Sequence, residues 1–395
     1  VAHYDYLVIG GGMTADAAVR GIRQLDGGGT IGIFCGEDVP PYDRPPLSKG
    51  LWQGDPVDGI WRGTQDIGGV ELHLGVRVRA LDLQGRRVTD ERGQEHTFGK
   101  LLLATGGTPR RLPSGGDEGV IYFRTFADYE RLRDLAERGE RFVVIGGGFI
   151  GSEIAAALAM NDRRVTMVFP EDGIGARTFP SELSGFLNDY YREKGVEVLA
   201  GQTVEGIGDR GGRKVVRTSD GREIEADGVV AGLGIRPETS LAEAAGLEVD
   251  DGIVVDEHLL TGAPDVYAAG DVARFYNPAL GSRLRVEHED NANTMGQQAG
   301  RNMAGAGEPY HHLPFFYSDL FELGYEAVGE LDSTLETVSD WKEPGREGVV
   351  YYLRDGRVRG VLLWNVWDQV ENARALIAEK GPFSADDLRG RLPEG

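Results

Sequence analysis

Two glycine-rich turns constrain this chain more than any other feature: Gly10-Gly11-Gly12-Met13-Thr14-Ala15 and Gly146-Gly147-Gly148-Phe149-Ile150-Gly151. Each follows a short apolar run, Tyr6-Leu7-Val8-Ile9 or Phe142-Val143-Val144-Ile145. Such runs mark strands buried on both faces of a parallel sheet. Each turn opens into helical spacing, from Asp16 to Ile22 in the first case and from Ser152 to Leu158 in the second. Strand, tight turn and helix in that order begin a βαβ unit. The fold class is therefore α/β, with two Rossmann-like units.

The spacing within each turn suits a dinucleotide. Gly10 and Gly146 permit the tight turn, and Gly12 and Gly148 leave room for a pyrophosphate. Ala15 and Gly151 are small enough for helix and strand to pack closely. The pyrophosphate then meets free N–H groups at the helix N-terminus. An acid at the end of the next strand should bind the adenosine ribose. Val165-Thr166-Met167-Val168-Phe169-Pro170-Glu171 supplies Glu171, and Ile31-Gly32-Ile33-Phe34-Cys35-Gly36-Glu37 supplies Glu37, with Asp38 beside it as the other register. One such motif fits an empty turn; two complete series argue for two nucleotide cofactors. A 2′-phosphate beside Glu171 would meet like charge unless an arginine intervenes. Arg163 and Arg164 stand at the wrong end of the strand, and Arg177 lies six residues past Glu171. The expectation is NADH.

The chain has 395 residues, enough for two or three domains. Its formal charge of −22 argues against nucleic acid and anionic membrane as partners. No apolar run approaches the roughly 20 residues that a membrane span needs. A strand pattern begins almost at the first residue, so no signal peptide is expected and a cytoplasmic location is. Cys35 is the one cysteine, which excludes an intramolecular redox disulfide. It is expected to pack beside the first nucleotide turn.

Along the chain, the first unit ends at Leu101-Leu102-Leu103-Ala104 and the turn Thr105-Gly106-Gly107-Thr108-Pro109. The second closes alike, at Gly228-Val229-Val230-Ala231-Gly232-Leu233-Gly234-Ile235-Arg236-Pro237. Between them, residues 126–138 read as a helix. Asp265 to Ala268 reads as a strand running into Gly270-Asp271. After about Leu313 the pattern changes to a hairpin, Val349 to Leu353 and Val358 to Trp364, joined through Asp355-Gly356. A helix striped with Val370, Ala373, Leu376 and Ile377 follows. Trp364 and Trp367 read as core or interface residues. His311-His312 suggests a metal, but no cysteine or acid stands at ligand spacing, so no metal site is expected.

The run Pro41-Tyr42-Asp43-Arg44-Pro45-Pro46-Leu47-Ser48-Lys49, together with both turns, Ala104 to Pro109 and Ala269-Gly270-Asp271, resembles the ferredoxin-reductase-like flavoproteins. Leu51-Trp52, Phe169-Pro170-Glu171, Arg285-Val286-Glu287-His288, Tyr317-Ser318-Asp319-Leu320 and Gly324 to Gly329 look most like apoptosis-inducing factor and its bacterial relatives. The resemblance spans essentially the whole chain and implies a glutathione-reductase-like architecture. That is a discontinuous FAD domain (1–112 and 240–312), an inserted NAD domain (113–239) and a C-terminal α/β domain (313–395). It implies FAD and NADH/NAD+ as cofactors. Residue by residue, Asp271 looks like the aspartate on the FAD ribityl chain and Pro45 like the proline against the ring. Arg44 and Arg110 resemble FAD-contacting arginines, and Lys49 and Glu153 resemble the ion pair beside flavin N5, with Glu153 also meeting the nicotinamide carboxamide on the NAD side. Gly10, Gly12, Thr14, Ala15, Glu37, Thr105, Gly106, Glu287, His288 and Tyr317 complete the FAD side. On the NAD side stand Gly146, Gly148, Ile150, Gly151, Glu171 and Gly234, with Phe149 covering the nicotinamide. His288 and Glu326 border its pocket, and Arg177 reaches the adenosine.

Two features depart from mitochondrial members. Tyr317 stands where they carry a tryptophan, and residues 341–348 read as a short loop where they carry a long insertion. The implied reaction is hydride transfer from nicotinamide C4 to flavin N5 across about 3–3.5 Å. The expected enzyme forms a reduced flavin–NAD+ charge-transfer complex and passes electrons to a small redox protein, quinone or oxygen. The first alternative is a ferredoxin or rubredoxin reductase of an oxygenase system. Another class is an NADH-sensing binding protein that forms a redox-dependent homodimer.

Overall fold

A computed structural model describes residues 1–113 and 118–392. The chain divides into two compact units. The first comprises Val1–Arg44, Pro56–Thr108 and Arg236–Pro314; the second comprises Pro45–Asp55, Pro109–Ile235 and the chain from Phe315 onward.

In the first unit a parallel sheet runs in the order Val70–Leu74, Ile31–Cys35, Ala2–Ile9, Glu95–Leu103, and Val266–Ala268 adds to it beside Glu95–Leu103. Arg87–Asp90 and Val78–Asp82 extend it antiparallel. Leu7, Val8, Leu101 and Leu102 are fully buried, as strands covered on both faces must be. The register aligns Ile9 with Leu103 and Leu103 with Ala268. The segments that follow these three residues, Gly10, Ala104 and Ala269-Gly270-Asp271, therefore leave the sheet at one edge. Ligands of open α/β sheets bind at that carboxyl edge. Helix Met13–Arg23 packs along helix Glu289–Met303.

The second unit repeats this plan. Its parallel sheet runs Glu197–Ala200, Arg164–Phe169, Arg141–Ile145, Gly228–Ala231, Ile121–Tyr122. Ile145 aligns with Val168 and with Ala231, so Gly146, Pro170-Glu171 and Gly232 share an edge. Helix Phe126–Arg138 occupies the span expected for it and is started by a capping box, with Thr125 accepting from the Asp128 N–H. An antiparallel sheet, Val204–Arg210, Arg213–Thr218 and Glu223–Ala226, lies within the same stretch of chain.

The C-terminal part of this unit is a five-stranded antiparallel sheet ordered Phe315–Leu320, Leu323–Gly329, Arg357–Trp364, Glu347–Arg354, Glu336–Glu343, with helix Val370–Ala378 packed on it. The Asp355-Gly356 turn has φ of +53° and +70°, the left-handed pair that a two-residue hairpin needs. Trp364 is a core residue, stacked on Tyr325 at 5.5 Å, whereas Trp367 is half exposed. Residues 341–348, read as a loop from sequence, mostly belong to strands Glu336–Glu343 and Glu347–Arg354. Alternating charge and glycine hid that pairing. Among the described residues no helix is long and apolar enough to cross a membrane.

Candidate functional site

The two glycine turns are built alike. Gly10 has φ +119° and a Cβ there would lie 2.0 Å from the Ala104 carbonyl oxygen; Gly146 has φ +113° and a Cβ would lie 2.3 Å from the Gly232 carbonyl oxygen. Both positions admit glycine alone. At Gly12 and Gly148, the N-caps of the two helices, a Cβ would meet nothing within 4 Å. Each helix thus presents its N-terminus to open space, with no side chain capping it. That is the shape and polarity that a pyrophosphate requires. Ala15 and Gly151 are buried where helix meets strand, and Cys35 packs behind Gly11 as expected.

Around the first turn, Glu37 is held rather than free. Its Oε1 pairs with Arg44 Nη2 at 2.6 Å and its Oε2 accepts from the Tyr42 hydroxyl at 2.7 Å. Burial works against the charge of Arg44, but Tyr42, Glu37 and Asp271 outweigh it and hold the guanidinium above the usual arginine range. Of the two acids at this strand end, Glu37 is thereby engaged and Asp38 is exposed. Behind them lies a network that no local sequence pattern marks. Asp16, fully buried in the first turn of its helix, accepts from Thr64 at 2.7 Å, Arg62 at 2.8 Å and Arg20 at 2.9 Å. Burial opposes its ionisation, and these donors prevail and hold its carboxyl below the usual range. Arg62 also binds Asp43 and Asn293, which ties the Pro41–Arg44 segment to helix Glu289–Met303. Only contact across distant segments reveals it.

Asp271 lies in the helical turn Gly270–Val272, and its carbonyl accepts from Arg285 at 3.1 Å. Glu287 pairs with Arg285 at 2.6 Å, and His288 is the N-cap of helix Glu289–Met303. Thr14 is buried near the start of its helix. Thr105 donates to the Glu238 carbonyl at 2.6 Å, and the Gly106 carbonyl accepts from the Glu238 N–H at 2.9 Å. His312 pairs with Asp290 at 2.6 Å, so an acid partner does exist for the histidine pair, 22 residues away and invisible to local spacing. Among the described residues no group of three potential ligands converges.

The second unit brings Lys49 and Glu153 together, with Nζ 3.3 Å from Oε1. Pro45 begins the short helical turn Pro45–Ser48 that leads to Lys49. Trp52 anchors this segment: its indole donates to the Leu47 carbonyl at 2.8 Å, its ring meets Tyr129 edge-on, and Asn161 donates to its carbonyl. Lys49 also lies 4.1 Å from the centre of the Tyr317 ring and 3.8 Å from Asp319. Glu153 is buried and accepts from two serines that no sequence motif marks, Ser48 at 2.6 Å and Ser318 at 2.5 Å. Burial, with Glu153 adding to it, raises the phenols of Tyr191 and Tyr325 far above the tyrosine range. Phe149 contacts Phe316 and Tyr325, and Tyr317 lies opposite Glu326 on the neighbouring strand. Burial, then Asp368, pushes the Glu326 carboxyl up.

Glu171 stands beyond the strand as its spacing implies, and Arg177 is paired with it at 2.5 Å. Ile150 is exposed in the first turn of its helix, and the Gly234 carbonyl accepts from the Arg110 N–H at 2.9 Å. Pro45, Lys49, Arg110 and Tyr317, assigned to the FAD side from sequence, all belong to the second unit.

The model of the pyridine nucleotide-disulphide oxidoreductase family matches residues 4–298. The chain belongs to that family. Residues 299–347 and 339–379 match the C-terminal domain of mitochondrion-associated apoptosis-inducing factor, so the family resemblance extends past the two nucleotide-binding turns. The chain is 38% identical over 395 residues to a 5,5′-dehydrodivanillate O-demethylase ferredoxin reductase subunit of Sphingobium, covering 98% of this chain and 96% of that protein. It is 34% identical to apoptosis-inducing factor 1 of Dictyostelium discoideum, covering 96% and 79%. Putidaredoxin reductase, solved as a covalent complex with putidaredoxin, superposes with a TM-score of 0.89 at 29% identity, covering 98% and 95%. The family is one of oxidoreductases that use FAD and a nicotinamide dinucleotide. Here Cys35 is the one cysteine in the sequence, so the disulfide of the family's description has no counterpart within the chain.

Proposed function

We propose that this protein is an NADH-dependent FAD oxidoreductase that delivers electrons to an acceptor other than a bound disulfide. The observation that carries this reading is the pair of uncapped helix N-termini at Gly12 and Gly148, each facing open space beside an acid-bearing strand end. When bound, FAD supplies the chemistry, taking hydride from NADH and releasing electrons onward. The first turn, with Glu37, Arg44 and Asp271, holds FAD; Thr14, Ala15, Thr105, Gly106, Glu287 and His288 line the same side. The second turn, with Phe149, Glu171 and Arg177, holds the nicotinamide dinucleotide. Lys49 would supply a positive charge that favours the reduced, more negative state of the flavin. Glu153 orients that lysine. The three-part division into FAD, NAD and C-terminal domains is part of the same reading.

Similarity over nearly the whole length to a ferredoxin reductase subunit favours a second statement: the acceptor is a small iron–sulfur protein. The longer-lived complex with NAD+ is the competing account. Steady-state assays separate them. Rapid NADH-driven reduction of a small ferredoxin supports the first, whereas a persistent long-wavelength band with slow turnover supports the second.

The preference for NADH rests on Glu171, and the Arg177 ion pair offsets part of that carboxylate's charge. A kcat/KM higher for NADH than for NADPH is expected, and a ratio below one would reverse the assignment.

A further inference from the structure

The contacts of Lys49 are all long, while those of its partner Glu153 are short. Lys49 Nζ stands 3.3 Å from Glu153 Oε1, 3.5 Å from the Tyr317 carbonyl, 3.8 Å from Asp319 and 4.1 Å from the Tyr317 ring centre. The Glu153 carboxylate instead accepts at 2.6 Å on Oε2 from Ser48 and at 2.5 Å on Oε1 from Ser318. Charge-assisted hydrogen bonds between N⁺–H and O⁻ are commonly about 2.7–2.9 Å. A lysine and a buried carboxylate with no competing donor should close to that range. Here the oxygen nearest the ammonium already carries a short hydrogen bond from Ser318.

We propose that Ser48 and Ser318 are positioning residues that occupy both oxygens of Glu153 and so keep Lys49 from collapsing into a tight ion pair. The inference rests on the proposed function. Glu153 steers the ammonium without capturing it, so Lys49 keeps N–H directions and charge that are not spent on the carboxylate. The two hydroxyls come from segments far apart in sequence, Ser48 from the Pro45–Ser48 turn and Ser318 from strand Phe315–Leu320. Glu153 is buried in the helix that follows the second glycine turn. The carboxylate thus registers where the C-terminal sheet places Ser318.

The test uses the FAD-loaded protein and the variants Ser318→Ala, Ser318→Thr, Lys49→Ala and Lys49→Ala/Ser318→Ala. Two quantities are read: the flavin midpoint potential, titrated with dithionite in the absence of nicotinamide, and the rate of flavin reduction by NADH. In Ser318→Ala the freed oxygen draws Lys49 inward. The potential should fall and reduction should slow about tenfold, with FAD content unchanged. Ser318→Thr, which keeps the hydroxyl, should restore both. In the Lys49→Ala background Ser318→Ala should change neither, because the two residues act as one unit. Unaltered potential and rate in Ser318→Ala would overturn the inference, and so would an effect that persists without Lys49. Failure of wild-type protein to accept electrons from NADH would defeat the functional reading instead, and the dithionite titration would still decide the role of Ser318.

Discussion

Lys49 and Cys35 show how far single residues can be pressed. Lys49 meets Glu153, Asp319 and the Tyr317 ring in one small volume, which is more than a solvated loop lysine would gather. Replacing it with alanine should slow flavin reduction by NADH at least tenfold while FAD stays bound, as stopped-flow absorbance would record; unaltered kinetics would remove it from the mechanism. Cys35 is buried, and that burial, with Glu37 adding to it, pushes its thiol up to about 12. A thiol reagent should therefore find no reactive group in the folded protein and one equivalent after denaturation. Lys49 and Glu153 were legible as a pair only through the family resemblance of the Pro45–Lys49 run. Ser48 lies inside that run and Ser318 inside Tyr317–Leu320, yet neither run marks its serine. A serine's role depends on what faces it, and 165 residues separate Ser318 from Glu153.

The elements follow local rules closely, and their exceptions come from tertiary contact. The buried strands, the capped helix Phe126–Arg138 and the Asp355-Gly356 hairpin all rest on periodicity, capping or turn chemistry within a short window. The Leu320–Leu323 turn does not. Phe321 adopts φ +60°, a conformation that costs an aromatic residue about 1–3 kcal/mol. Its ring packs against Tyr190 and Tyr191, and the adjacent Glu322 accepts from the Tyr190 hydroxyl and pairs with Lys194 at 2.6 Å. This clasp ties to helix Ser181–Glu193 the hairpin that carries Tyr317, Ser318 and Glu326. Lys194, then Tyr190, holds the Glu322 carboxyl down at about 2, against about 4.3 for an unperturbed glutamate. Because the folded value is the lower one, the clasp contributes fully above pH 4.5 and fades as pH falls toward 2. The side chain is largely exposed, so the contribution is small. Glu322→Gln should lower Tm slightly at neutral pH, and the gap to wild type should close as pH drops from 5 toward 2. A gap that stays constant would show that the carboxylate charge is not what the clasp uses.

At the scale of the whole chain, the paired glycine turns carry the two-cofactor account, and the structure gives them matching geometry. In each, a left-handed glycine lies against the turn after a neighbouring strand, and an uncapped helix faces open space. The duplication was readable because a Rossmann-like turn is local: its glycines, strand and helix lie within about 20 residues. The supports were not readable, because Asp16, Asp43, the Arg62–Thr64 run and Asn293 come from four segments. Nor could spacing show that Arg177 would close on Glu171. FAD-loaded protein is titrated anaerobically with NADH while the flavin absorbance is followed. The account predicts that one equivalent of NADH bleaches one equivalent of FAD. A flavin that stays oxidised under excess NADH, yet is reduced by dithionite, would contradict it.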